Sequence, residues 1–299
     1  MQTKYIPILN TQERPNLFRK LEVLPPTLTG TVFKGSFTLA LLALLLVGHG
    51  LINYWWLQTD RHALWLDEQV YHRQARLYSR TLFLKENLTL PQRIENALAT
   101  TPGNPAHPPL LYVCGAVAQG ILGFTSDSAA LVDTIAFMGL LAGVFCLARL
   151  FFPYSGALFA TVVASFLPGL SICSRYFMTD YPAACFVVWA MYALIRSEGF
   201  HEMRWSLLFV LFNVLGLLTR TVTPLYYLVP LTMVGITGFL RCLGGGMVKD
   251  EKRRSFGIWC FHLLLVGFLS IALTAPWYYY HRDRFFGYWL GERAHSKQP

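Results

Sequence analysis

The sequence predicts an all-α integral membrane protein: a polytopic helical bundle of about seven spans, with a large outer loop after the first span. Hydrophobic residues make up 54% of the 299 residues, and charged residues make up only 14%. Soluble domains usually contain about one quarter charged residues. Apolar runs close to the roughly 20 residues that a helix needs to cross a bilayer recur along the chain, and these runs decide the fold class.

The first predicted span is Ser36–Leu57, which ends in three aromatic residues typical of a membrane interface. The short run Pro109–Phe124 predicts a re-entrant or interfacial helix, and a full crossing is its alternative. The remaining predicted spans are Leu131–Phe151, Ser155–Cys173, Tyr176–Ile195, Trp205–Leu218, Pro224–Leu240 and Gly257–Tyr278.

Basic residues set the predicted orientation. The net charge is +9, and much of the excess lies in Lys4–Lys34 and Arg241–Arg254. Basic segments beside spans stay in the cytoplasm, so the long loop Gln58–His107 and the Arg175–Asp180 corner are predicted to share the opposite face. Anionic membrane lipids, rather than nucleic acid, are the expected partners of the basic segments.

This orientation divides the chain into three predicted regions, with the polar loop as the functional part of the largest one. They are a cytoplasmic segment (1–35), a transmembrane module (36–280) that contains the outer loop 58–107, and an outer-face tail (281–299).

Two adjacent carboxylates in the outer loop, Asp67 and Glu68, are the first candidates for chemistry. A carboxylate near a membrane surface can act as a general base that deprotonates an acceptor hydroxyl. The alternative is a solvated helix start, because acidic residues favour a helix N-terminus.

Two further candidates lie where apolar runs begin. His107 precedes two prolines that indicate a helix start, and it could donate to a phosphate or orient a carboxylate. Asp180 stands at the start of a predicted span, where an acid needs a partner, and Arg175 is the nearest basic residue. Either a structural Arg175–Asp180 clasp or a brace for the catalytic loop would explain this pair. An ordinary interfacial histidine is the alternative for His107.

Arg220 follows an apolar run and is flanked by two threonines. A guanidinium binds phosphate bidentately and keeps its charge, although a snorkelling interfacial arginine has the same sequence pattern. His72 could join Asp67, Glu68 and His107 in a metal site, but this spacing is no specific metal signature. We therefore predict no cofactor, with a divalent metal as the alternative.

The order of these motifs resembles the GT-C class of polytopic glycosyltransferases, most closely the branch of protein O-mannosyltransferases and lipid A aminoarabinose transferases. The motifs that carry the resemblance are Trp65-Leu66-Asp67-Glu68, His107-Pro108-Pro109-Leu110-Leu111-Tyr112, Leu147-Ala148-Arg149-Leu150-Phe151, Ser174-Arg175 to Pro182, Leu218-Thr219-Arg220 and Pro276-Trp277.

This resemblance implies an enzyme that moves a sugar from a polyprenyl-phosphate carrier to a hydroxyl of a lipid, glycan or protein acceptor. Transfer would invert the anomeric carbon on the non-cytoplasmic face, with the bacterial inner membrane favoured over the endoplasmic reticulum. Asp67 matches the family's acidic loop residue with Glu68 beside it, and His107 matches the residue before the Pro-Pro helix start. Asp180 matches the acid of the second outer loop. Arg220 stands where the family often has a lysine followed by Gly-Pro.

Members of this class are commonly much longer, so the chain is expected to be an N-terminal portion that could be inactive in isolation. A transporter or flippase and a non-catalytic membrane scaffold are the alternative functions. Transporter sites lie near the bilayer midplane, whereas the candidate charges here gather at one predicted face, which favours an enzyme.

Overall fold

The computed structural model describes residues 35–60, 64–84, 88–100, 107–243 and 249–289, and it contains only helices and their connections within these ranges. Most of the predicted cytoplasmic segment and the end of the predicted tail lie outside the described residues. The predicted all-helical class is confirmed for the described part of the chain.

Twelve α-helices follow one another in the described ranges, joined by short connections. They are α1 (Gly35–Thr59), α2 (Leu66–Ser79, continued by a π-helical turn, Arg80–Leu84), α3 (Leu90–Ala99), α4 (Leu110–Leu122), α5 (Ser126–Ala148), α6 (Tyr154–Ser165), α7 (Pro168–Cys173), α8 (Asp180–Arg196), α9 (Met203–Leu217, followed by a 3-10 turn, Thr223–Tyr227), α10 (Leu228–Leu243), α11 (Lys249–Tyr280) and α12 (Arg282–Trp289).

Four helical segments among the described residues are long and apolar enough to cross a membrane, and α4, α6 and α9 are shorter apolar helices. The prediction of about seven spans is therefore not confirmed. The four segments are Gly35–Thr59, Ser126–Ala148, Thr223–Cys242 and Ser255–Tyr280.

Helix breaks explain why some predicted spans are shorter in the structure. The run Ser155–Cys173 divides before Pro168, because proline lacks the amide hydrogen needed to continue a helix. The run Tyr176–Ile195 becomes helical only from Asp180. The run Pro109–Phe124 forms the 13-residue helix α4, which agrees with its prediction as a short helix.

The outer loop packs on the bundle through α2. One face of α2 buries Tyr71, Ala75 and Tyr78, at the spacing that places residues on the same side of a helix. Tyr78 stacks on Tyr112 of α4, with ring centroids 6.2 Å apart. These residues belong to one buried cluster that also contains residues of α5, so the N-terminus of α2 has a fixed position on the bundle.

Buried hydrogen bonds tie the helices together inside the apolar bundle. Asn53 of α1 donates to Ser174 at 2.9 Å, and Asn213 of α9 donates to Ser270 of α11 at 3.0 Å. An internal partner removes the cost of placing such a group in an apolar environment. These contacts define which helix faces meet.

The side chain of Phe177 packs between α2 and α4. It is fully buried and stacks on His72, with ring centroids 4.9 Å apart. Gly115 of α4 lies directly beneath the ring, since a Cβ atom at this glycine would be 2.5 Å from Cζ of Phe177. The absence of a side chain at Gly115 therefore makes room for the segment that precedes α8.

We expect Gly115→Ala to destabilise the protein by about 1–3 kcal/mol, the usual cost of overpacking a core. The matched control is Gly267→Ala in α11, where an added Cβ meets nothing within 4 Å. Thermal unfolding of both variants in detergent gives the comparison. Equal melting temperatures for the two variants would show that Phe177 is not held against Gly115.

Candidate active site

Four segments distant in sequence meet at one end of the bundle: the start of α2, His107 before α4, the start of α8 and the turn after α9. A backbone hydrogen bond holds two of them together, because the amide of Leu110 donates to the carbonyl of Leu218 at 2.9 Å. This contact places His107 close to Arg220, whose charge acts on the imidazole.

Arg220 and Asp180 form an ion pair through Nη1 and Oδ1. Asp180 is the first residue of α8 and Arg220 follows the last turn of α9, so each charge suits the dipole of its helix end. The guanidinium remains partly accessible, with 31% of the Arg220 side chain exposed. The pair is therefore positioned by two helices and open to a ligand.

Arg175 lies elsewhere. Its Nε donates to Oδ1 of Asn53 at 3.0 Å, and its guanidinium lies over Trp56, 5.1 Å from the ring centroid. The clasp between Arg175 and Asp180 that the sequence suggested is thus replaced by the Arg220–Asp180 pair. The reason lies in the tertiary structure. Arg175 contacts Asn53 and Trp56 of α1, whereas the end of α9 meets the start of α8.

His107 lies between two hydroxyl groups. Its Nε2 is 3.3 Å from the Tyr71 hydroxyl, and its Nδ1 is 3.5 Å from the Thr179 hydroxyl. Burial and the Arg220 charge lower the pKa of His107, while the Asp67 charge acts in the opposite direction. The imidazole is therefore neutral at pH 7, with one nitrogen as donor and the other as acceptor.

Asp67 and Glu68 point to different environments although they are neighbours on α2. Asp67 is solvent-exposed, and its charge acts on both His107 and Tyr71. Burial is the main cause of the raised pKa of Tyr71, and the Asp67 charge adds to it. Asp67 therefore borders the same site as His107.

Glu68 is buried beneath the site, with 2% of its surface exposed. Its Oε1 accepts from the amide of Phe177 at 3.3 Å, and its Oε2 accepts from the amide of Trp65 at 3.4 Å. His72 Nε2 lies 3.6 Å from Oε1. Glu68 was predicted as a catalytic residue, but its contacts place it to hold the backbone of Trp65 and Phe177.

Three residues in this site or next to the segment that carries Asp180 were missed by the sequence reasoning. Tyr71 is four residues after Asp67, a helical spacing that could have revealed it. Thr179 precedes Asp180 and gave no separate signal. Asp133 lies inside an apolar run, where an acid is unusual enough to have been singled out.

No three His, Cys, Asp or Glu side chains meet as a potential metal site in the part of the chain that the structure describes. His72 contacts Glu68 and Phe177, whereas His107 contacts Tyr71 and Thr179. The ligand set considered from the sequence is therefore divided between two environments.

We expect Arg220→Ala to raise the pKa of His107 toward the ordinary value of 6.5, because it removes one of the two causes of the lowered pKa. Asp67→Asn should lower the pKa further. Histidine NMR titration, with His107→Gln to assign the signal, measures both shifts. An unchanged pKa in both variants would contradict the placement of His107 between these charges.

The lowered pKa of His107 also makes the stability of the folded protein depend on pH. Since the pKa is lowered in the folded protein, the contribution of His107 is fully present above the unfolded value of 6.5 and is lost as pH falls through the folded value. Arg220→Ala should reduce this pH dependence.

Comparison with known proteins identifies the family. A family model described as dolichyl-phosphate-mannose-protein mannosyltransferase matches residues 106–280, which is more than half of the chain. No curated protein and no solved structure matches it. The matched region contains His107, Asp180 and Arg220, while Asp67 lies before it. The predicted resemblance to the GT-C class is confirmed. The chain belongs to the dolichyl-phosphate-mannose-protein mannosyltransferase family, and it is a membrane glycosyltransferase whose donor is a polyprenyl-phosphate-linked sugar.

Proposed function

We propose that this chain transfers a sugar from polyprenyl phosphate to an acceptor hydroxyl with inversion, on the non-cytoplasmic face of the membrane. Asp67 is the general base, and Arg220 binds the lipid phosphate. The observation that carries the proposal is the partly exposed Arg220 guanidinium in the same site that the Asp67 carboxylate borders. The outer face follows from the basic segments Lys4–Lys34 and Arg241–Arg254.

The chemistry is a single displacement. The acceptor oxygen forms a bond to the anomeric carbon while the bond from that carbon to the phosphate oxygen breaks. The hydroxyl proton passes to the Asp67 carboxylate, and the bonding electron pair leaves with the lipid phosphate. A hydroxyl is a weak nucleophile, so a base placed within hydrogen-bond reach accelerates the attack. Attack opposite the leaving group inverts the carbon.

Arg220 stabilises the leaving phosphate as its negative charge grows. A fixed cation beside developing charge favours the transition state over the ground state. A guanidinium has five N–H donors, and the pair with Asp180 engages Nη1. The remaining donors can bind phosphate while Asp180 keeps the group oriented. Asp180 therefore acts as a positioning residue for Arg220.

His107, Tyr71 and Thr179 supply neutral hydrogen-bonding groups next to these charges. A neutral imidazole can donate to a sugar or phosphate oxygen without forming an ion pair with the Asp67 base. Asp67 thus stays available for the acceptor proton.

The proposed chemistry requires only that the acceptor, whether a lipid, a glycan or a protein, carries a free hydroxyl. The bacterial inner membrane is the proposed location.

Asp67→Asn keeps the shape of the side chain and removes its basicity, so turnover should fall roughly 10²–10⁴-fold. Donor affinity should stay nearly unchanged, because the base acts on the acceptor. The measurement is sugar transfer from a polyprenyl-phosphate donor in vesicles. Glu198→Gln is the matched control, since Glu198 follows the far end of α8. Near-normal turnover in Asp67→Asn would remove Asp67 as the base.

Arg220→Ala should weaken both donor binding and turnover, because the phosphate is charged before the reaction as well as during it. Hydrogen bonds to charged groups contribute about 1.5–3 kcal/mol, so donor affinity should fall roughly tenfold to a hundredfold. Equilibrium binding of polyprenyl phosphate measures the loss.

Arg241→Ala is the matched control for this variant. Arg241 also forms an ion pair, with Glu198 at 3.3 Å, near the other end of α8. Donor affinity equal to wild type in Arg220→Ala would identify Arg220 as an ordinary interfacial arginine and leave the phosphate without its proposed ligand.

A further inference from the structure

Asp133 is a buried acidic residue that makes no contact with the reacting groups of the proposed transfer. It lies in α5, one of the membrane-spanning candidates, and its side chain is fully buried. Its Oδ2 accepts from the amide of Met178 at 2.6 Å. Its Oδ1 has no hydrogen-bond partner among the described residues. An acid inside an apolar span is costly, so the contact with Met178 needs an explanation beyond packing.

Glu68 makes the neighbouring contact from the other side. Its Oε1 accepts from the amide of Phe177, so two carboxylates on two helices bind two consecutive backbone amides. Phe177 and Met178 belong to neither a helix nor a turn, and their amides therefore lack regular backbone partners. The two side chains therefore supply the acceptors that regular secondary structure would otherwise provide, and a buried amide left without an acceptor would be costly.

The segment held in this way carries two groups of the site. Thr179 contacts His107, and Asp180 pairs with Arg220. Thr134, next to Asp133 on α5, donates to the carbonyl of Ser174 at 3.4 Å, so α5 contacts this connection at both of its ends. Displacing the segment would move the partners of both His107 and Arg220.

We infer that Asp133, together with Glu68, is a positioning residue that anchors Phe177–Asp180 and thereby fixes Arg220 and His107 for sugar transfer. The catalytic half of this inference rests on the proposed function. An apolar residue of similar size would fill the same space but leave a buried amide unpaired, which is destabilising. The carboxylate is thus used to hold irregular backbone next to the site.

The test compares Asp133→Leu, which removes the acceptor, with Asp133→Asn, which keeps one acceptor oxygen and the shape. Hydrogen–deuterium exchange of a peptide covering residues 176–181 reports anchoring directly. Transfer turnover and polyprenyl-phosphate affinity report the consequence for the site. Asn213→Leu is the control, because it removes a buried polar side chain bonded to Ser270 and Tyr227.

In Asp133→Leu we expect exchange of this peptide to accelerate at least about tenfold. Turnover should fall roughly tenfold to a hundredfold, as a misplacement of about 1 Å can cause. Donor affinity should change less than about threefold, since the Arg220 charge remains for the ground state. Asp133→Asn should restore most of the protection and turnover, and Asn213→Leu should leave both near wild type.

Exchange equal to wild type in Asp133→Leu would overturn the anchoring, and faster exchange with normal turnover would overturn its role in transfer. If Asp133→Leu does not fold, the smaller substitution Asp133→Ala, which also removes the acceptor of the Met178 amide, is judged by the same readouts. A wild-type chain that transfers no sugar would contradict the proposed function, whereas the exchange measurements would still decide the anchoring.

Discussion

The site depends on how the amides of an irregular backbone segment find hydrogen-bond acceptors inside an apolar helical bundle. Buried amides without helical partners must find acceptors within the protein, because an unpaired buried amide is costly. Asp133 and Glu68 supply acceptors for the two amides of Phe177 and Met178. The ring of Phe177 adds a steric constraint by packing over Gly115. Together these contacts define where α8 begins, and hence where Asp180 lies.

Helix ends then determine the charge pattern of the site. Asp180 at the start of α8 and Arg220 after α9 each sit where the backbone dipole favours their sign. Their pairing uses opposite ends of two antiparallel helices that pack closely. His107 stays neutral beside this pair because it is buried and close to the Arg220 charge. The result is a compact group of one cation, two acids and neutral donors, suited to a phosphate and a hydroxyl.

Much of this arrangement was predictable from the sequence, and the exceptions have physical reasons. Apolar runs indicate membrane helices, and the order of the motifs indicates the family. The partner of Asp180 was not predictable, because the nearest cation in sequence, Arg175, is taken by Asn53 of α1. The burial of Glu68 was also not predictable from the sequence, because neighbouring residues of a helix face different directions. Predicted span lengths failed where Pro168 divides a continuous apolar run.

In the proposed mechanism, Asp67 and Arg220 border one site that receives the lipid phosphate. An experimental structure of the chain bound to a polyprenyl phosphate tests this most directly. We expect phosphate oxygens within about 3 Å of the Arg220 guanidinium, with the Asp67 carboxylate bordering the same site. A phosphate bound away from Arg220, or a structure with Asp67 and Arg220 on opposite membrane faces, would contradict it.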